Sequence, residues 1–185
     1  MMTNVCLLTG SPGTGKTTVI RQATAISKVR AGGFYTEEIR SGGVRQGFRI
    51  ITLDGQDAIL AHANITGRHR VGRYGVDIQN LDEVGVAALN RAIGESDLIV
   101  IDEIGKMELF STRFREAVLQ AIDSSKKVLG TVMLNPHPFA DQVKRHPNVK
   151  VLQVSRANHD HVLGEVTSWL KSTTDENMPQ ANRQH

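Results

Sequence analysis

The chain has 185 residues, 39% hydrophobic and 22% charged, a length and balance that suit one globular domain with a sizeable core. A net charge of +3 is too small to argue for a nucleic-acid or membrane partner. One cysteine, Cys6, excludes an internal disulfide and a cysteine-built zinc site. No run approaches membrane-spanning length, and the N-terminus has neither the charged region nor the apolar stretch of a signal peptide. A cytoplasmic protein is the default expectation. The charge is uneven: Arg21 to Gly75 holds nine Lys/Arg against four Asp/Glu.

In chain order, Asn4 to Thr9 reads as a short buried strand, with Cys6 as a small core residue. The loop GSPGTGKTT follows, and a helix is predicted from Gly15 to Lys28, where Val19, Ile20, Ala23 and Ile26 recur at helical spacing. From Gly33 to Ala63 the texture is short and β-rich, punctuated by Ser41-Gly42-Gly43 and Asp54-Gly55. It predicts a small antiparallel meander at the edge of the main sheet. Ile65 to Asp77 reads as a loop with three arginines and three glycines. Leu81 to Ile93 reads as a helix with Asp82 and Glu83 in its first turn, where acids favour the helix dipole.

Leu98 to Ile101 is continuously apolar, as a strand covered on both faces should be. Arg113 to Ile122 reads as a helix, and Lys127 to Met133 and Val149 to Val154 read as strands. The last helix is predicted to start near Asn158, a good N-cap residue, with Val162, Leu163, Val166, Trp169 and Leu170 docking it on the sheet. The domain is expected to end at residue 171; the polar tail, residues 172–185, reads as disordered. Strands alternating with helices predict an α/β fold, a mainly parallel sheet with helices on both faces.

Gly10, Gly15, Lys16 and Thr17 fit the spacing G-x-x-x-x-G-K-[ST] between a strand and a helix. Such a loop wraps a phosphate with inward-pointing backbone N–H groups, and glycines permit the close approach. The candidate phosphate-binding residues are Gly10, Ser11, Pro12, Gly13, Thr14, Gly15, Lys16, Thr17 and Thr18. Lys16 would reach the β- and γ-phosphates, Thr17 would coordinate Mg²⁺, and the helix N-terminus faces the same anion. In LIVIDEIGKMEL, Asp102 ends an apolar strand and is the candidate Mg²⁺ residue. Glu103, directly after it, is the candidate general base for a water at the γ-phosphate, against the alternative of a charged surface neighbour. Lys106 and Glu108 support the site or merely open a polar loop.

Arg40, Arg68, Arg70, Arg73, Arg113 and Arg156 are candidates to stabilise transferred charge, the Arg68–Arg73 loop foremost. Without a placed arginine, P-loop hydrolases turn over at roughly 10⁻⁴ to 10⁻² per second. No Asn-Lys-x-Asp guanine signature occurs, and His159 and His161 read as ordinary surface residues.

Taken together, GSPGTGKTT, GGFYTEEIR with GFRI, VGRYGVD and VIDEIGKMEL resemble the small nucleoside-triphosphatases first described from hyperthermophiles. The resemblance runs from about Asn4 to Leu170. It implies a RecA-like P-loop fold and Mg²⁺-dependent hydrolysis of nucleoside triphosphates (ATP, GTP, CTP and UTP) with broad base tolerance. Carried over by position, Gly10 to Thr18 bind phosphate, Asp102 serves magnesium and Glu103 serves water. The sequence departs from the family at Asn158-His159, where an Asn-Arg pair is usual, and in VMLNPHP, where proline comes later; base preference is therefore open. A nucleotide or nucleoside kinase, and a nucleotide-gated binding protein, are the competing expectations.

Overall fold

A computed structural model describes residues 3–172. The tail expectation for residues beyond 172 lies outside the described residues. One nine-stranded sheet runs in the order β5-β6-β4-β3-β2-β7-β8-β1-β9. Its parallel part is β2 (Ala31–Ser41), β7 (Leu98–Ile104), β8 (Lys127–Val132), β1 (Val5–Thr9) and β9 (Val149–Gln153). Beyond β2 the pairing turns antiparallel, through β3 (Val44–Thr52), β4 (Asp57–His62), β6 (Tyr74–Val76) and β5 (Arg70–Val71).

Side chains alternate across a strand, and β7 shows why its sequence is apolar throughout. Ile99 and Ile101 enter a core with Phe34, Leu81, Leu89, Phe114 and Val118. Leu98 and Val100 enter the other, with Cys6, Leu8, Ile20, Val162 and Leu170. The first face is covered by the helical run that ends in α3 (Ala87–Glu95) and by α4 (Thr112–Asp123); the second by α1 (Lys16–Ser27) and α6 (His159–Lys171). Each fully buried Leu, Ile or Phe contributes about 1.5–3 kcal/mol of transfer free energy.

The predicted meander is present, and it is continuous with the parallel sheet because β2 serves both. Its early part pairs with β7 (Phe34↔Ile101), and most of its length pairs with β3. Gly33 makes that junction possible: it has φ +107°, and a Cβ there would lie 2.0 Å from the Val100 carbonyl oxygen. The charge excess of this segment is partly neutralised on the β2–β3 ribbon. Glu37 pairs with Arg21 and Arg49, and Glu38 with Arg40 and Arg45. These are exposed pairs of small individual worth.

Two expectations need correction, and two features go beyond them. The segment Ile65 to Asp77 contains the short strands β5 and β6, too brief and glycine-rich for a period-2 pattern to register. The helix expected from Leu81 begins earlier, at a single turn α2 (Ile78–Asn80), where the Asp77 side chain accepts from the Asn80 N–H at 2.8 Å. A π-helical stretch, Leu81–Val86, joins that turn to α3. Asp82 and Glu83 therefore sit inside the helix, and Asp82 accepts a hydrogen bond from the Ser111 hydroxyl. A helix without a sequence expectation, α5 (Pro138–Lys144), starts with proline in its first turn. Finally, Asn158 does stand at the N-cap of α6, but its side chain bonds back into the preceding turn. Of the residues expected to dock α6, Val162, Val166 and Leu170 are buried and Leu163 and Trp169 half-buried.

Candidate functional site

Because β1 and β7 are parallel, the loop after Thr9 and the carboxylates at the end of β7 emerge at the same end of the sheet. The loop Gly10–Gly15 leaves β1 and feeds α1 directly. Gly10, Gly13 and Gly15 have φ of +151°, +75° and +87°, values that side-chain-bearing residues rarely adopt. Lys16 folds back over the loop: its ammonium donates to the carbonyls of Gly10 at 2.8 Å and Ser11 at 3.0 Å.

Asp102 is buried and held from two sides. The Thr17 hydroxyl on α1 donates to Oδ2 at 2.7 Å, and the Thr131 hydroxyl on β8 donates to Oδ1 at 2.7 Å. Burial pushes the Asp102 carboxyl above its ordinary range, and the two hydroxyls, with more distant Arg21 and Lys16, pull it back. The Asp102–Glu103 peptide bond is cis. Glu103 is also raised, first by burial and then by the neighbouring Asp102 charge, with Lys16 opposing. Lys16 thus acts electrostatically on both carboxylates.

A tight turn follows. The Leu109 N–H donates to the Gly105 carbonyl at 3.0 Å, and Glu108–Phe110 form a 3₁₀ turn that brings Glu108 back under Glu103. A Cβ on Gly105 would lie 2.9 Å from Glu108 Oε2 and 3.0 Å from Glu103 Oε1, so any larger residue there would have to push one of the two carboxyl groups aside. Burial, then the Glu103 charge, holds Glu108 well above the ordinary glutamate range. The alternative left open for this pair is resolved by burial: Glu108 belongs to the carboxylate cluster, whereas Lys106 is exposed.

Thr17 and Asp102 offer one hydroxyl and one carboxylate, hard oxygen donors in mutual contact. That donor set suits Mg²⁺, which keeps most of its shell for water and phosphate and needs few protein ligands. Among the described residues no group of three His, Cys, Asp or Glu forms a self-sufficient cage.

The candidate arginines separate. Arg40 pairs with Glu38 and the Gly43 carbonyl, Arg70 donates to the carbonyls of Ile65 and Arg73, and Arg73 donates to the Arg45 carbonyl. Arg68, Arg113 and Arg156 are exposed. The Arg68 loop is tied to the site's border, since the His69 ring lies 5.2 Å from that of Phe110, two residues beyond Glu108. Two residues escaped the sequence analysis. Thr131 lies in an apolar run where a buried hydroxyl leaves no periodic trace. His159 is not an ordinary surface residue, because its ring packs on Gly15: a Cβ there would lie 2.8 Å from Cδ2 and 2.9 Å from Nε2. His161 is exposed, as expected.

Known proteins resemble this chain over most of its length. The family model described as NTPase matches residues 5–167. The nucleoside-triphosphatase THEP1 of Thermotoga sp. strain RQ2 is 47% identical over 165 residues, covering 89% of this chain and 94% of that protein. The human cancer-related nucleoside-triphosphatase is 37% identical, covering 90% of this chain and 96% of that one. The crystal structure of THEP1 from Aquifex aeolicus superposes with a TM-score of 0.83 at 37% identity, over 90% of this chain and 99% of that one. The solution structure of the human protein gives 0.78 at 36% identity, over 91% of this chain and 97% of that one. With a family model spanning most of its length and relatives aligned nearly end to end, the chain belongs to the NTPase family that contains the THEP1 nucleoside-triphosphatases.

Proposed function

We propose that the protein hydrolyses nucleoside 5′-triphosphates to the diphosphate and phosphate, with Mg²⁺ and with little choice of base. The observation that carries this reading is the second carboxylate. Glu103 follows Asp102 at the end of the sheet where the Gly10–Thr18 loop opens, within reach of the Lys16 charge. A kinase passing phosphate to another alcohol gains nothing from activating water, whereas a carboxylate that takes a proton from water serves hydrolysis directly.

In this mechanism the backbone N–H groups of Gly10 to Thr18 hold the triphosphate, and Lys16 leaves the Gly10 and Ser11 carbonyls to bind the β- and γ-phosphate oxygens. Thr17 and Asp102 would hold Mg²⁺, which when bound neutralises charge on the phosphate oxygens. Glu103 accepts a proton from a water as its oxygen bonds to the γ-phosphorus, and the bond from that phosphorus to the β,γ-bridging oxygen breaks. Burial and the neighbouring Glu103 charge hold the Glu108 carboxyl well above its ordinary range, which favours its neutral form beside Glu103.

The test is phosphate release from ATP, GTP, CTP and UTP by the wild type and Lys16→Ala, with Mg²⁺ and with excess EDTA. Release from all four, abolished by EDTA and by Lys16→Ala, is expected. With γ-labelled ATP and a mixture of nucleosides and monophosphates, label on an acceptor in place of free phosphate would establish a kinase.

A further inference from the structure

At the end of the sheet opposite the phosphate loop, a cavity of about 260 Å³ lies between the start of β2, the end of α3 and the turn after β3. Gly32 lines it and pairs with Ile99, three residues and about 10 Å of strand before Asp102. Side chains alternate across a strand, so position 32 faces α3, whereas Asp102 faces Thr17 on α1. Ala88, Ala92 and Ser96 recur at a spacing of four along the helix and line the same cavity. A Cβ on Gly32 would collide with Ser96 Oγ and lie 2.8 Å from Ala92 Cβ, so a side chain there would fill this space.

The polar groups around the cavity are incompletely paired. Ser96 is only 6% exposed, and among the described residues nothing bonds its hydroxyl. Arg91 reaches to the turn after β3, where Nε and Nη2 both donate to Asp54 Oδ2, at 3.1 and 2.8 Å; Nη1 stays open. Asp54 Oδ1 accepts from the Thr52 hydroxyl, so Asp54 is fully engaged. Arg30 Nε lies 3.8 Å from Asp97 Oδ2, beyond hydrogen-bond distance, which leaves its guanidinium open as well. Glu95 lines the same cavity, and among the described residues its carboxylate has no ion pair and no hydrogen bond. Open guanidinium donors, an open carboxylate and a buried open hydroxyl thus surround an apolar lining of Leu53, Ala88 and Ala92.

We infer that this cavity binds a small α-amino acid with an apolar side chain. The ligand carboxylate meets Arg30 and Arg91, its ammonium meets Glu95, and its side chain packs on Leu53, Ala88 and Ala92, with the Ser96 hydroxyl bonding inside the cavity. An anion alone would lie beside Glu95 and Asp54, and a cation alone beside two guanidinium groups; a ligand carrying both charges meets a complement for each. A space of about 260 Å³ is smaller than the roughly 300–1,000 Å³ of sites for drug-sized ligands, so the occupant is a small metabolite and not a second nucleotide. The site is separate from the nucleotide reading and does not depend on it.

The experiment is calorimetry on the full chain with two sets of probes. L-Valine is compared with isovalerate, which lacks the amine, and isobutylamine, which lacks the carboxylate; L-leucine is compared with 4-methylpentanoate and isopentylamine. At least one amino acid is expected to bind with millimolar affinity or better, and its single-charge analogues about tenfold or more weakly, because each loses a hydrogen bond between charged groups. Glu95→Gln should weaken that amino acid about tenfold and Ser96→Ala about threefold. On titration the NMR amide signals of Gly32, Gly33 and Ala92 should shift, independently of any variant. No binding by either amino acid overturns the inference, as does a single-charge analogue that binds as tightly. Unchanged affinity in Glu95→Gln, or shifts confined to residues outside the cavity, overturns it too. Phosphate release from ATP has no part in the readout, so failure here leaves the hydrolase reading standing, and failure of that reading leaves this one.

Discussion

Glu103→Gln separates the chemistry from the architecture, because it should move activity and stability in opposite directions. The substitution keeps size and removes both the base and one negative charge. Loss of a general base costs about 10²- to 10⁴-fold in rate, or roughly 3–5 kcal/mol of barrier. For stability, Glu103 Oε1 and Glu108 Oε2 each lie about 3 Å from one point, so they are about 6 Å apart at most. Two ionised carboxylates at that distance repel by about 3 kcal/mol at an effective dielectric constant of 20. Protonation of Glu108 and solvent at the half-buried Glu103 reduce that figure, and a separation shorter than 6 Å raises it. A neutral amide in place of the Glu103 carboxylate removes the repulsion, so the variant should be at least as stable as wild type at pH 8. The assays are steady-state phosphate release and urea denaturation on the same preparations. Equal release rates would refute the base assignment, and a variant less stable than wild type would refute the crowding of the carboxylates.

Three further outcomes follow from the same geometry. Thr131→Val removes one of the two hydroxyls on buried Asp102 and should cost about 1.5–3 kcal/mol, a fall in Tm of about 3–12 °C by calorimetry. Glu108 has a folded-state pKa raised above 4.5, so rising pH deprotonates the unfolded chain first and stability falls through the window from 4.5 up to the raised value. Glu108→Gln should remove that fall, seen as a flatter dependence of the denaturation midpoint as pH rises above 4.5. Burial pushes the Cys6 thiol up to about 12, so iodoacetamide should label it only after unfolding; modification of the native protein within minutes at pH 8 would contradict the buried assignment.

Much of the candidate site was legible because its signals are local. The Gly10–Thr18 spacing, the apolar approach to Asp102 and the carboxylate after it all lie within single elements, where chain spacing maps onto geometry. Glu108 was ambiguous for a physical reason: a buried carboxyl and a solvated one look alike in sequence, and only the turn at Gly105 determines which it is. Strands β5 and β6 hold two and three residues, too few for a period to register. The contact of His159 with Gly15 joins residues far apart in the chain, and no spacing rule encodes it. The meander was foreseen, whereas its fusion with the main sheet depends on one strand, β2, pairing with neighbours of opposite direction.

Strand β1 has a consequence for the order of assembly. Among the described residues its partners in the sheet are β8 and β9, which begin at Lys127 and Val149. During synthesis the phosphate-loop residues therefore emerge first and wait for more than two-thirds of the chain before those strands can hold them. The long loop that closes then makes this a late folding step. A ribosome-bound fragment ending before residue 127 would carry the nucleotide motif and be unable to retain a nucleotide, so ligand capture reports completion of the far side of the sheet.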